Sequence, residues 1–338
     1  MHSQHARPCS RRRFLERVTL AGMAGLFGVR PRPVAAEPPP ETARIRLVDV
    51  PLLCVAPQYL AEELLRAEGF TRIEYVKAES APIAVAAGDA DMSQWGVPET
   101  IPLLDQQRPI VVIAGIHAGC WELFANDRVR AIRDLKGRRV AIIDYGSGDH
   151  VLLSSMLAYV GIDPRKEIDW VLAPGLLGPI GLFEKGQVDA AFAFPPGPQQ
   201  LRAKGIGRVI VDTARDRPWS QYYCCVITAN REFITRHPIA AKRALRAYLK
   251  AADICTQEPE RAAQFMASRG HAEDYAMQLN VLKSLPYNRW RQDSPEDTIR
   301  FHALRLHEAG MIKSTPQKLI TNGTDWRFLT ELKKELKG

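Results

Sequence analysis

Asp144-Tyr145-Gly146-Ser147-Gly148-Asp149-His150 is the stretch whose residue types invite chemistry: a hydroxyl, an imidazole and two glycines that leave the backbone bare. Before it lies a short apolar run, Val140–Ile143, which reads as a buried strand. After it, Leu152, Met156, Tyr159 and Val160 recur at helical spacing from Val151 onward, and Gly161 closes the helix. The first N–H groups of such a helix lack intrahelical partners and sit at the positive end of the macrodipole, so they can seat an anionic group. Three catalytic readings fail on spacing. A dinucleotide fingerprint needs glycine at 151, where Val stands. A nucleophile elbow around Ser147 needs glycines where Tyr145 and Asp149 stand. No Lys-Ser/Thr pair follows, which excludes a nucleotide phosphate loop. The plain alternative is a connecting turn.

The surrounding pattern places this turn in an α/β fold. Strands are predicted at Ile45–Val50, Arg72–Lys77, Asp91–Trp95, Ile110–Ile116 and Trp121–Ala125, with helices at Gln58–Glu68, Ala81–Ala87 and from Glu99. The polar turn Asp134–Arg139 restarts the pattern, with strands at Val140–Ile143, Asp169–Leu172, Asp189–Phe194 and Arg208–Val211. A further strand, Tyr222–Thr228, leads into a helical region that includes Pro238–Thr256 and a helix capped at Ser294-Pro295. Strands alternating with helices call for largely parallel sheets. A middle α/β segment framed by two others fits a chain that crosses to a second lobe and returns.

Residues 1–36 read as an export signal. Arg11-Arg12-Arg13-Phe14-Leu15 precedes a mild apolar stretch, and Val34-Ala35-Ala36 suits cleavage before Glu37. The expected destination is the periplasm by the twin-arginine route. This segment holds seven arginines and one Glu, so without it the formal +8 of the chain falls to +2. A nearly neutral body gives no support for a nucleic-acid partner. Cys54, Cys120, Cys224, Cys225 and Cys255 remain after loss of Cys9. Their odd number and irregular spacing make neither a disulfide framework nor a zinc pattern, so no metal is expected.

With these residues in view, the chain resembles the nitrate/sulfonate/taurine branch of ABC-transporter solute-binding proteins, which shares its fold with proteins that bind or make the thiamine pyrimidine precursor. Four pieces match in the family's order: Asp134-Leu135-Lys136-Gly137-Arg138-Arg139-Val140-Ala141, Gly146-Ser147 with His150, Gly186-Gln187-Val188-Asp189-Ala190-Ala191, and Asn230-Arg231-Glu232-Phe233-Ile234 with His237-Pro238. The resemblance implies a two-lobed periplasmic-binding-protein fold of type II, each lobe a mostly parallel sheet flanked by helices, with a helical C-terminal region. The expected lobes are residues 43–130 plus 222–338, and 131–221. It also implies a small organic solute (sulfonate, carboxylate or aromatic, pyrimidine-like) held between the lobes, an ABC permease as partner, a monomer, and no cofactor or catalytic residue. The alternative is an enzyme like the thiamine-pyrimidine synthases of the same fold. Their iron-associated cysteine motif is approached here only by Cys224-Cys225, whose side chains point to opposite faces of a strand unless a bulge intervenes.

In open α/β sheets, ligands sit beyond the carboxyl ends of the strands. The expected ligand-binding residues are therefore Cys54, Gln94, Trp95, His117 and Trp121 from the first lobe, Ser147, Gly148, His150 and Phe194 from the second, and Tyr222 at the return crossing. Asp149 is expected to face solvent or cap the helix. Where the family often has Trp-Glu-Pro, this chain has Phe194-Pro195-Pro196, without the carboxylate.

Overall fold

Short apolar strands alternating with helices build two five-stranded sheets in the computed structural model, which describes residues 37–337. The expected export signal at 1–36 lies outside the described residues. The first segment runs β1 (Arg44–Asp49), α1 (Ala56–Ala67), β2 (Arg72–Lys77), α2 (Ala81–Ala87), β3 (Met92–Gly96), α3 (Val97–Asp105) and β4 (Ile110–Ala118). The second runs β5 (Glu122–Ala125), β6 (Arg139–Ile142), α4 (Gly148–Tyr159), β7 (Asp169–Leu172), α5 (Gly178–Glu184), β8 (Ala190–Ala193), α6 (Gly197–Lys204) and β9 (Arg208–Asp212). After β10 (Tyr223–Asn230) the chain is helical: α7 (Arg231–Arg236), α8 (Pro238–Gln257), α9 (Pro259–Ser268), α10 (Tyr275–Ser284), α11 (Pro295–Glu308), α12 (Pro316–Gly323) and α13 (Arg327–Glu335).

The first sheet has the order β2-β1-β3-β10-β4 and the second β7-β6-β8-β5-β9. In each, four strands run one way and one runs against them: β10 is antiparallel to β3 and β4, and β5 to β8 and β9. The reversed strand is in each case the one by which the chain arrives from the other sheet. A chain leaving β4 at its carboxyl end enters the second sheet from that sheet's own carboxyl edge and must run backward through it. The carboxyl ends of the two sheets therefore face each other. Glu122–Ala125, expected with the first lobe, pairs in the second sheet, because the link from β4 is too short to mark the sequence.

The strand Ile110–Ala118 is buried at every residue although it lies at the edge of its sheet. Its outer side is covered: Val112 pairs with Thr324, and the Asp325 N–H donates to the Val112 carbonyl at 3.0 Å. A polar node on α1 ties the first sheet to its helices. Buried Gln58 donates to the Val48 carbonyl (2.7 Å) and accepts from the Gln94 N–H (2.9 Å) and the Tyr248 hydroxyl (3.1 Å). Gln58→Ala leaves these three groups unpartnered at about 1–3 kcal/mol each. The expected result is a marked drop in the urea midpoint with an unchanged slope.

Candidate functional site

The helix α4 begins at Gly148, three residues before the apolar periodicity starts, with Ser147 in extended conformation at its N-cap. The Ser147 hydroxyl lies against the Asp144 carbonyl and the Asp149 carboxylate. Asp149 is buried rather than solvent-facing. It turns back to accept from the Ile143 N–H at 2.8 Å, and burial raises its pKa. His150 accepts the Gly146 N–H through Nδ1 at 3.0 Å, and its ring meets Tyr145 and Trp170 edge-on. Burial pulls its pKa down to about 4, so at neutral pH the ring carries no charge for a ligand.

The seat at the start of α4 is filled by the chain itself. The Gly148 N–H donates to Oε1 of Glu99 at 2.8 Å, and the other carboxylate oxygen accepts from the Trp95 indole N–H. Glu99 stands in the first turn of α3, so this contact joins the first segment to the second. Burial raises the Glu99 pKa, and its hydrogen bonds to Trp95 and Gly148 offset only part of that. A Cβ at position 148 would lie 3.1 Å from Glu99 Oε1 and 3.5 Å from the Trp121 ring, so glycine permits the close approach. Trp121 meets the Phe194 ring edge-on with centroids 4.9 Å apart. Trp95, Glu99, Gly148, Trp121 and Phe194 thus form one patch between the sheets.

Two hollows flank it. One of ≈ 20 Å³, room for about one water, is lined by Trp121, Tyr222, Cys224 and His302 among others. The other, of ≈ 390 Å³, is lined by Cys120, Pro195, Arg202, Arg215 and Ser284 among others. Both guanidinium groups there are engaged, Arg202 with Glu122 and Arg215 with Asp212. Tyr222 stacks on Phe301 with centroids 4.0 Å apart.

Cys54, Gln94 and His117 belong to a different group. Gln94 Nε2 donates to the Cys54 carbonyl at 3.1 Å, as does the Tyr287 hydroxyl at 3.0 Å. His117 lies within β4 rather than in a loop, and its ring meets that of Tyr287 edge-on. Cys120, Cys224 and Cys225 converge on it. The pairing of β10 with β4 shifts register on both sides of Cys225, and this irregularity brings the adjacent Cys224 and Cys225 sulfurs to 3.9 Å. Burial raises the Cys224 thiol, but hydrogen bonds with Cys120 and Cys225 outweigh it and lower it.

Sequence reasoning missed Glu99 and this thiol cluster. An acid in the first turn of a helix ordinarily complements its own dipole, and nothing local says that it reaches another helix. The cluster draws on residues more than a hundred positions apart, such as Cys120 and Cys224.

Two facing α/β sheets linked by short crossings define the generic periplasmic-binding-protein fold. The chain belongs to the family described as NMT1/THI5 like, whose model matches residues 70–262. No curated protein matches it. Among solved structures, the periplasmic nitrate-binding protein NrtA from Synechocystis PCC 6803 is similar at 15% identity and a TM-score of 0.70, over 89% of this chain and 90% of that one. The alkanesulfonate-binding protein SsuA from Xanthomonas axonopodis pv. citri bound to MOPS is similar at 18% identity and 0.67, over 86% and 100%. The Candida albicans CA3427 gene product, described as having the generic periplasmic binding protein fold, is similar at 13% identity and 0.65, over 83% and 96%.

Proposed function

We propose that this chain is a periplasmic solute-binding protein that closes two lobes over a small organic solute and delivers it to an ABC permease. The lobes are residues 43–120 with 222–338, and 121–221, and they close about the two crossings at Gly119–Trp121 and Gln221–Tyr223. The observation that carries the reading is the bridge Trp95–Glu99–Gly148, which joins the facing strand ends and is walled by Trp121 and Phe194. Such a contact forms when lobes close and breaks when they open. Trp95, Trp121, Gly148 and Phe194 hold the solute, with Tyr222 at the hinge.

The printed names of the similar structures state nitrate and alkanesulfonate binding. Here two carboxylates, half-buried Glu99 and buried Asp149, lie at the helix start, and the arginines of the neighbouring cavity are paired with acids. Like charges this close disfavour an anion. The solute of this chain is a flat, nitrogen-bearing molecule that donates an N–H to Glu99 and lies against the indole rings. No bond is made or broken: the Ser147 hydroxyl is held by two acidic-turn acceptors and His150 Nδ1 by a backbone N–H, so they form no nucleophile–base pair.

Mass spectrometry of the small molecule co-purified from the native host, followed by calorimetric titration with it, tests this reading. Recovery of a sulfonate or a simple carboxylate would overturn the solute class. Export has its own check. Arg11→Lys with Arg12→Lys should trap the protein in the cytoplasm, seen by cell fractionation, whereas normal export of that variant would remove the twin-arginine route.

A further inference from the structure

We infer that His117, Cys120, Cys224 and Cys225 form a tetrahedral binding site for one zinc ion. Their ligand atoms all lie within 4.8 Å of one another. Zinc takes thiolate sulfur at about 2.3 Å and imidazole nitrogen at about 2.0–2.1 Å, which puts the edges of its tetrahedron at roughly 3.5–3.8 Å. The Cys224–Cys225 sulfur separation is 3.9 Å and the Cys120–Cys224 separation 2.9 Å, so small rotations about side-chain bonds bring the set to that spacing. Three cysteines and one histidine are a closed structural ligand set for this metal.

The second observation is His117 itself. It is fully buried, and its Nε2 has no hydrogen-bond partner among the described residues. Nδ1 lies 3.3 Å from the Ala118 carbonyl. A hydrogen on Nδ1 turned to that carbonyl leaves Nε2 as a bare lone pair, the tautomer that a metal needs, and a backbone carbonyl is a usual outer partner of a metal-bound imidazole. Without a ligand on Nε2, burial of that nitrogen is a plain loss.

The backbone is irregular at the points where the thiols must be aimed. Cys120 has φ 93°, in the region that side chains rarely adopt, and β10 shifts register around Cys225. The Cys54 thiol neighbours Cys120, Cys225 and His117, and the Tyr287 hydroxyl donates to the Cys54 carbonyl. As zinc binds, the three cysteines coordinate as thiolates, the protons still held by the ligand set pass to solvent, and no electron moves. The ion would join Cys120 on the outgoing crossing to Cys224 and Cys225 at the start of β10, just past the return crossing, and so fasten the two hinge segments side by side.

The test uses the full chain from Glu37, reduced, stripped with a chelator and passed into zinc-free buffer. On adding zinc chloride, mass-spectrometric metal analysis should find one equivalent retained after gel filtration, and buffers of different ionisation enthalpy should report proton release in calorimetry. Cobalt(II) in place of zinc should give the thiolate charge-transfer band of a tetrahedral sulfur site. Cys225→Ser and His117→Ala should each weaken zinc binding at least about a hundredfold. Cys255→Ser, whose thiol lies elsewhere in the core, should retain the full equivalent. Should the ligand variants fail to fold, the cobalt spectrum of the wild type decides alone. No retained zinc and no charge-transfer band under reducing conditions would overturn the site, as would a Cys120–Cys224 disulfide that forms in air and does not yield to zinc with reductant. Neither result depends on the solute, so failure here leaves the solute reading standing.

Discussion

Glu99→Gln is expected to weaken binding of the co-purified solute about 10- to 100-fold, from ~1.5–3 kcal/mol for a hydrogen bond to a charged group. The carboxylate is the half-buried acceptor facing the start of α4 and the Trp95 indole. Gln keeps the shape and one acceptor but removes the charge. The pH dependence gives the same group a second signature. Burial raises the Glu99 pKa above its ordinary 4.5, so the ionised form that a donor solute needs is lost as pH falls through that raised value. Wild-type affinity should drop on acidification over that window, and the variant should be flat. The linked stability effect has the opposite sign. A carboxyl raised in the folded state stabilises most below its unfolded pKa, and this contribution is lost as pH rises through the folded pKa. Calorimetry from acid to neutral pH reads the first effect and thermal melting reads the second. Tighter binding by Glu99→Gln would mean that the solute is an anion and that Glu99 only stands in its place.

Trp121→Ala should cost at least ~2 kcal/mol of binding, about thirtyfold in Kd, as truncation of a buried aromatic anchor does. The ring lies between the Gly148 backbone and Phe194, and it also borders the hollow near Tyr222 and Cys224. Because Trp121 packs against both lobes' cores, the alanine variant also loses stability. Trp121→Phe separates the two effects, since it restores most of the packing while leaving a smaller stacking face. Full affinity in a folded Trp121→Ala protein would place the solute elsewhere, with the ≈ 390 Å³ cavity beside Cys120 next in line.

Much of the fold was legible because it is written at short range. Apolar runs such as Val140–Ile142 and Ile110–Ala118 mark buried strands, and the glycines at 88, 161 and 310 end helices where the periodicity stops. The reversed direction of β5 and β10 was not legible, since a strand's side-chain alternation is the same read either way. The turn at 146–150 was visible as a helix start, but its occupant was not. Glu99 reaches it only because two sheets meet, and that meeting has no local signature. The convergence of the cysteines was not legible for a related reason. Zinc spacings such as Cys-x-x-Cys describe ligands from one loop, whereas His117 with Cys120 and Cys224 with Cys225 come from two neighbouring strand ends.

The place of β10 between β3 and β4 has a consequence for how the protein is made. When the ribosome has finished Ala118, four strands of the first sheet exist, but the slot between β3 and β4 is vacant. The strand that fills it ends at Asn230, about a hundred residues later. Until then the apolar faces of β3 and β4 have no partner, while the second sheet, continuous from Glu122 to Asp212, can complete itself. The lobe that begins the chain therefore finishes last. Loop closure over so long a separation is slow and leaves surface open to wrong contacts. A nascent chain stalled so that Asp212 but not Tyr223 has left the tunnel should show protease protection over 122–212 and cleavage within 44–118, and protection of the earlier segment should appear only once Asn230 has cleared the tunnel.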